Sequence, residues 1–411
     1  MCALPLKKSF SMGMCTAPAA ITTEPSRRNR PGNLSTLLGN DGPMPEPSCR
    51  RAETRSTRRA PRPLAELVAV LLTAGFAASA AAADLPTGAH ARLRAEARAA
   101  LDRGEAAKAL GIYQRLARDG DAVGSNNAGV LLLQGWGAAA DPVAARAWFR
   151  RAAEAGLPGG QYNYALSLLR GLGGVVDRET GLALLEQAAR AGDADAHLEL
   201  GLAAAVNPLR RAAAITHFRH AALAGRPLAQ LNLATLLLDG EAPAERSEAE
   251  DWLQRAAGAG EATAAYRLAM LLLGRVETEA ARVPEAVAFL RMAAEAGYPE
   301  ALLNLGVIEA EGRWVKRDLG SALRRWRLAA ELGQPAAQFN LGLAHARRDF
   351  GVEDAPEAYA WLALAAAAGH PGADTALDEL ASRLDPAQLR HGEVLFQQRI
   401  DRFLRPPQAR R

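Results

Sequence analysis

Two short glycine-rich stretches look like the loops with which proteins cradle a phosphate. Residues 133–142 read LQGWGAAADP and residues 169–177 read LRGLGGVVD, each with two glycines one residue apart after an apolar run. Gly135, Gly137 and Ala140 satisfy the loose dinucleotide-binding pattern G-x-G-x-x-A. A dinucleotide site would also need a preceding strand and a single occurrence inside a βαβ unit. The surrounding elements therefore decide whether these glycines bind a nucleotide or form turns.

Histidines and paired carboxylates are the next candidates for chemistry. None of the seven histidines begins an H-E-x-x-H motif. His217 and His220 lie three residues apart in a predicted helix, where they could hold a metal ion if a carboxylate joined them. We interpret them instead as partly exposed histidines beside packed alanines. Glu248 and Glu250 are likewise interpreted as a solvated helix face and not as an acid/base pair.

A serine hydrolase of the β-lactamase type would need S-x-x-K, in which the lysine helps to activate the serine. After residue 83 the only lysines are Lys108 and Lys316, and no serine lies three residues before either one. Cys2, Cys15 and Cys49 all precede residue 84, so the rest of the chain can form no disulfide. We therefore predict no catalytic residue, no cofactor and no metal site.

The first 83 residues differ from the rest in charge. They hold 11 of the 49 Lys+Arg and 5 of the 45 Asp+Glu residues, which leaves 38 basic and 40 acidic side chains after them. Because the positive excess lies in this leader, we predict no nucleic-acid binding.

Within the leader, Arg58, Arg59 and Arg62 precede an apolar run and a string of small residues, which is the layout of a secretory signal. We expect a disordered segment over 1–57, a signal peptide over 58–83 that is cleaved after Ala83, and a periplasmic or secreted chain without stable membrane insertion. A signal that stays uncleaved as an anchor is the alternative.

A repeat organises the chain after the leader. The string A-A-x-x-G or a near relative recurs at intervals of 33 to 37 residues, and its anchor glycines are Gly120, Gly156, Gly192, Gly225, Gly260, Gly297, Gly333 and Gly369. Small residues at the fourth and ninth positions after each anchor predict a helix, called helix A, that a neighbouring backbone can approach closely. Before the next anchor, small, large and small residues at spacings of three and four predict helix B. We expect the large residue, for example Trp148, to fill the gap that the small residues leave.

The predicted helix boundaries support this division. Asp141, Asp177, Asp318 and Asp354 each lie fifteen residues before an anchor glycine, where a carboxylate can accept the free amides of the first turn of helix B. The anchor glycine suits a left-handed helix C-terminus. Since the G-x-G loop recurs between two helices, we interpret it as a helix-to-helix turn and not as a nucleotide site.

The motifs of one unit carry a family resemblance. N-L-G-x₅-G from Asn304 to Gly312, W-V-x-x-D from Trp314 to Asp318, and A-A-x-x-G ending at Gly333 resemble the Sel1-like repeat, a relative of the tetratricopeptide repeat. The resemblance implies an all-α fold, a right-handed superhelical solenoid of stacked antiparallel helix pairs. It covers seven repeats over 120–369, with a degenerate helix pair over 84–119 before them and capping helices over 370–411 after them.

The resemblance to tetratricopeptide domains also implies a binding surface. The residue seven positions after each anchor would face a concave groove, where asparagine amides can bond the main chain of an extended peptide. This asparagine row comprises Asn127, Asn163, Asn232, Arg267, Asn304 and Asn340, with Glu199 in the third unit. An apolar row one residue earlier includes Tyr162, Tyr266 and Phe339. The alternative is that the asparagines bridge neighbouring repeats and that the apolar row is core.

The function that this resemblance implies is an exported, non-catalytic scaffold that binds a protein or peptide through the concave face. Some cysteine-rich members of the family have been associated with penicillin binding and β-lactamase activity, but disulfides staple their repeats. A cell-wall-acting protein, either binding peptidoglycan or hydrolysing in the manner of a β-lactamase, is the alternative function.

Overall fold

The computed structural model describes residues 88–404 except 241, 348 and 349. The predicted leader and secretory signal lie outside these residues. Everything regular in the described part of the chain is helical, and none of its helices is long and apolar enough to cross a membrane. The α-helices are α1 (Gly88–Asp102), α2 (Ala106–Arg118), α3 (Ala122–Gln134), α4 (Pro142–Glu154), α5 (Pro158–Arg170), α6 (Arg178–Arg190), α7 (Ala194–Ala205), α8 (Arg211–Leu223), α9 (Pro227–Leu238), α10 (Pro243–Gly258), α11 (Ala262–Leu273), α12 (Val283–Glu295), α13 (Pro299–Glu311), α14 (Leu319–Glu331), α15 (Pro335–His345), α16 (Ala355–Ala367), α17 (Ala373–Ala381) and α18 (Pro386–Leu404).

The described residues divide into two compact units, 88–233 and 234–404, called here the N-terminal unit and the C-terminal unit. The division falls within α9. Consecutive helices pack in pairs in each unit. The pairs are α3 with α4, α5 with α6 and α7 with α8 in the N-terminal unit, and α11 with α12, α13 with α14 and α15 with α16 in the C-terminal unit. The predicted all-α array of helix pairs is confirmed.

Four aspartates begin their B helices as the sequence predicts. Asp141 accepts a hydrogen bond from the amide of Ala144 at 2.9 Å, and Asp318 accepts one from the amide of Ser321 at 2.9 Å. Asp177 and Asp354 make the same kind of cap. At the other end, all eight anchor glycines have φ between 76° and 91°, the left-handed region in which glycine is favoured. Both boundary predictions are confirmed.

Small residues of helix A face helix B, but the side chain that fills the gap is one residue further along than predicted. A Cβ at Gly129 would lie 2.6 Å from the ring of Phe149, and one at Gly306 would lie 2.5 Å from Nε1 of Trp326. Both rings are buried, whereas Trp148 is only half-buried. The expectation for Trp148 was wrong because adjacent helical residues point about 100° apart, and either of two large neighbours could have faced inward.

The glycine pairs form turns that press against the preceding B-type helix. Gly135 ends α3 in the left-handed region, with φ of 70°. Two residues later, a Cβ at Gly137 would lie 2.5 Å from the carbonyl oxygen of Ala106, where α2 begins. In the next repeat, a Cβ at Gly173 would lie 2.0 Å from the carbonyl oxygen of Pro142, where α4 begins. The second glycine of each pair is therefore required by a close backbone approach.

Candidate functional site

The asparagine row lies on the A helices, and most of its side chains are inside the protein. Asn232 and Asn304 are completely buried, and Asn127 and Asn340 are nearly so. Buried amides of this kind must find hydrogen-bond partners within the protein. The half-buried members of the row are Asn163, Glu199 and Arg267. These three side chains keep part of their surface in solvent.

The apolar row is also mostly core. Tyr162 and Tyr266 are buried, and desolvation raises the pKa of the Tyr162 hydroxyl well above its usual value. Phe339 is the half-buried member, and its ring stacks on the imidazole of His370 with 4.4 Å between ring centroids. Among these three predicted residues, Phe339 is the one with apolar surface open to solvent.

In the N-terminal unit the asparagines tie successive helices together. Asn163 on α5 donates through Nδ2 to Oδ1 of Asn126 on α3 at 2.7 Å. Asn127 shares a hydrogen bond with the hydroxyl of Tyr113 on α2. Asn126 was missed by sequence reasoning, because it stands in the row that carries apolar residues in the other repeats. The residue one position before the asparagine row can serve as the hydrogen-bond partner of the asparagine in the next repeat. The sequence pattern alone did not indicate this role.

The C-terminal unit uses the same row with different partners. Asn304 on α13 donates through Nδ2 to the hydroxyl of Tyr266 on α11 at 3.2 Å. Arg267 donates to the hydroxyl of Thr235. Nδ2 of Asn340 is buried without a hydrogen-bond acceptor in the described part of the chain. The residue that corresponds to Tyr266 in the preceding repeat is Leu303, which offers no acceptor to Asn340.

Unit three places charges where its neighbours have amides. Glu199 lies 3.3 Å from the guanidinium of Arg170, and Asp195 accepts from Arg226 at 2.8 Å. Desolvation raises the pKa of both carboxyls, and their arginine partners oppose that shift. The first ion pair joins the A helices α5 and α7, and the second joins α7 to the residue that precedes α9. They replace the asparagine contacts of the regular repeats.

Three histidines meet between α7 and α8. Nδ1 of His197 lies 3.0 Å from Nδ1 of His217, and its ring stacks on His220 with 4.6 Å between centroids. No group of three or more His, Cys, Asp or Glu side chains within the described ranges has the geometry to hold a metal ion. Desolvation, followed by the charges of His220 and His217, lowers the pKa of His197 to about 4. His197 is therefore neutral at pH 7.

The sequence matches the model of a repeat family. The family model of the Sel1 repeat matches residues 122–157, 158–193, 227–261, 262–298, 299–334 and 335–370. The unmatched stretch between the second and third matches is the third predicted unit, which carries Glu199 and the histidine cluster. The structure nevertheless forms the helix pair α7 and α8 there.

Two solved structures are similar to most of this chain. A protective antigen present in uropathogenic Escherichia coli strains, which displays an SLR fold, is 29% identical with a TM-score of 0.63; the match covers 72% of this chain and 64% of that one. A Sel1 repeat protein from Oxalobacter formigenes is 26% identical with a TM-score of 0.53, covering 81% of this chain and 98% of that one. This chain thus spans less than two thirds of the antigen. No curated protein matches the sequence significantly, and the matched family and structures indicate no catalytic family.

Proposed function

The chain belongs to the Sel1 repeat family, and from this premise we propose that it is an exported, non-catalytic scaffold that binds a protein or peptide partner. Helical arrays of this family are typical protein-interaction scaffolds. Export rests on the predicted secretory signal that ends at Ala83. The partner and the export are the parts of this proposal that go beyond family membership.

The observation that carries the proposal is the division of the predicted row into inaccessible and accessible side chains. Asn232 and Asn304 are completely buried, so their first role is to hold repeats together. Asn163, Arg267 and Phe339 keep part of their surface in solvent. An amide can bond a peptide main chain, a guanidinium can pair with a carboxylate, and an aromatic ring can cover an apolar side chain. We therefore assign partner contact to these three residues and a framework role to the buried ones.

The test separates binding from folding. Residues 84–411 are used as bait in an envelope extract, and the captured proteins are quantified beside a variant carrying Arg267→Ala and Phe339→Ala. We expect the variant to lose its specific partner while its helical content is retained. The control is Asn304→Ala, which removes a buried hydrogen bond and should lower the free energy of unfolding by about 1–2 kcal/mol. At temperatures well below the melting temperature of this variant, it should capture the partner as the wild type does.

The alternative function is tested on the same protein. Nitrocefin hydrolysis above background, or specific sedimentation with purified peptidoglycan, would replace the scaffold proposal with a cell-wall role. Equal capture by the wild type and by the Arg267→Ala, Phe339→Ala variant would retain the scaffold but remove these residues from its binding surface.

A further inference from the structure

An open cleft on the N-terminal unit is lined by no residue of the asparagine row. It has a volume of about 180 Å³ and is lined by Val143, Arg146, Ala147 and Arg150 of α4 and by Tyr164 of α5. Two of these five residues are arginines and none is acidic. Arg146 and Arg150 are one helical turn apart, so their guanidinium groups lie on the same face of α4. The cleft therefore presents positive charge above a small apolar floor.

Arg146 is held in position by the next repeat. Its Nη1 donates to the carbonyl oxygen of Val175 at 2.9 Å. A Cβ at Gly174 would lie 2.6 Å from the same nitrogen, so this glycine leaves the space that the guanidinium occupies. A guanidinium has five N–H donors, and one bond to a carbonyl leaves the others to serve a ligand. The side chain is thus oriented before any ligand arrives, which reduces the entropy that binding would cost.

Exposed valines lie in the cleft and in the neighbouring loop 171–177, and they are called here the valine rim. Val143 is 67% exposed, and Val175 and Val176 in the loop that contacts α4 are 82% and 52% exposed. The close approach of Gly173 to the backbone of Pro142 and Val143 brings this loop beside the first turn of α4. Apolar residues at such exposure, next to a charged cleft, are typical of a surface that another molecule covers.

The corresponding place in the C-terminal unit lacks this arrangement. The residue at the position of Arg146 is Glu250, which pairs with Arg275 and Arg282 of the following loop. The residue at the position of Tyr164 is Leu268, which is buried. There the charges are matched within the protein, whereas Arg150 has a single surface pair among residues 88–404 as the structure describes them, with Glu154 at 3.5 Å. Such a pair contributes little and exchanges readily for another carboxylate.

We propose that this cleft binds an acidic peptide segment of a partner protein, with a carboxylate between Arg146 and Arg150 and a neighbouring aliphatic side chain on Val143 and Val175. Paired guanidinium groups favour carboxylates through charge-assisted hydrogen bonds, and the valine rim favours an apolar neighbour. Charge argues against this chain's own termini as occupants, because the leader is basic and residues 405–411 contain three arginines and no acid. The proposal does not depend on the asparagine row.

The experiment selects ligands from a random-peptide phage library on wild-type residues 84–411. We expect enrichment of peptides in which Asp or Glu adjoins Leu, Ile or Val. A fluorescently labelled copy of the most enriched peptide should bind the wild type, lose at least about tenfold in affinity with Arg146→Gln plus Arg150→Gln, and weaken with added salt. Arg150→Glu alone, which leaves the bond of Arg146 to the loop in place, should weaken binding to a similar degree.

The matched control is Arg291→Gln plus Arg327→Gln, two exposed arginines that occupy the repeat position of Arg150 in the C-terminal unit. These changes should leave peptide affinity within about twofold, because neither arginine lines the cleft and solvent screens exposed charges. Failure to enrich acidic peptides, or equal affinity of the Arg146 and Arg150 variants, overturns the proposal. Co-sedimentation with anionic vesicles that depends on the same two arginines would do so as well. Equal capture by the wild type and by the Arg267→Ala, Phe339→Ala variant, with intact peptide binding at the cleft, would contradict only the proposed partner contact of Arg267 and Phe339.

Discussion

The contact between the loop of one repeat and helix B of the preceding repeat, called here a joint, is made differently in the two units. In the N-terminal unit, the loop 171–177 packs its backbone at Gly173 onto the start of α4, and Arg146 donates to the carbonyl of Val175. In the C-terminal unit, the corresponding loop has no glycine at the position of Gly173 but Glu277, and Glu250 pairs there with two arginines of the loop.

In both joints the residue at the same repeat position binds the loop of the following repeat, but its charge is positive in one joint and negative in the other. Arg146 and Glu250 each lie ten residues before an anchor glycine, and each holds the loop of the following repeat. One joint is specified mainly by main-chain contact and the other mainly by ion pairs. The difference teaches that the repeat pattern constrains the contact between helices A and B, while the loop contact is solved separately in each unit.

Substitutions in the contact between helices A and B, which both units share, should lower the free energy of unfolding the most. Phe149→Ala in the N-terminal unit and Trp326→Ala in the C-terminal unit each empty the space above a helix A glycine. We expect each to cost about 3–5 kcal/mol of unfolding free energy, because a fully buried aromatic ring leaves a cavity. Urea unfolding followed by circular dichroism measures this cost. Trp148→Ala is the control, and a larger loss there than at Phe149 would contradict the common core.

Gly173→Ala should have the next largest effect, and this effect is specific to the N-terminal joint. The new Cβ would lie 2.0 Å from a backbone oxygen at a residue whose φ is 71°, so both overlap and strain oppose it. We expect a loss of about 2–4 kcal/mol in urea unfolding. Gly192→Ala is the control, since its φ is 85° but nothing lies within 4 Å of the added atom, and it should cost only about 1–2 kcal/mol. Equal losses would mean that the close approach at Gly173 does not hold the joint.

Glu250→Gln should weaken the C-terminal joint by about 1 kcal/mol, since the pairs are partly exposed and solvent screens them. Hydrogen exchange of the amides in 274–282 measures this local loss, which should shrink in concentrated salt. Acid should act on the same joint. The Arg282 side chain holds the pKa of Glu285 below its usual value, so its contribution is present above the unfolded pKa and is lost as pH falls through the folded one. Exchange in 171–177 should not respond to Glu250→Gln.

His197→Gln should produce the smallest effect and one that depends on pH. Gln230 and Gln338 occupy the same repeat position, and each donates through Nε2 to a carbonyl of the preceding B helix at 3.2 Å. Glutamine should therefore replace the corresponding bond of His197 to Ala189. At pH 7 we expect stability to be unchanged within error.

The sign of the pH effect follows from the depressed pKa of His197, about 4 in the folded protein. The unfolded histidine, with a pKa of about 6.5, binds protons first, so the wild type loses stability as pH falls from that value towards the folded pKa. After allowance for screening of this partly exposed group, the loss is about 1 kcal/mol. His197→Gln should be the more stable protein at pH 5 in urea unfolding. A wild type with the same pH dependence as the variant would show that His197 does not titrate in this way.

Much of the fold could be predicted from recurring residue types, because each represents a strong local preference. Asp318 accepts amides only a few residues away, and Gly333 adopts a backbone conformation that other residues avoid. Repetition of these short-range signals reveals the helices and their ends. The candidate site was less predictable. The row seven residues after each anchor was found, but burial of Asn304 and exposure of Arg267 depend on residues of the neighbouring repeat.

The sequence by itself determined the helix pairs, their caps and their turns, since these depend on interactions between residues near one another in the chain. Only the tertiary structure decided that Phe149 and not Trp148 fills the core, and that Arg146 and Glu250 hold equivalent loops. It also decided that Asn304 donates to a hydroxyl, whereas Nδ2 of Asn340 has no acceptor among the described residues. Each of these outcomes depends on which atoms face one another across two repeats. A helix pattern specifies such directions to within about one residue, and packing makes the final choice.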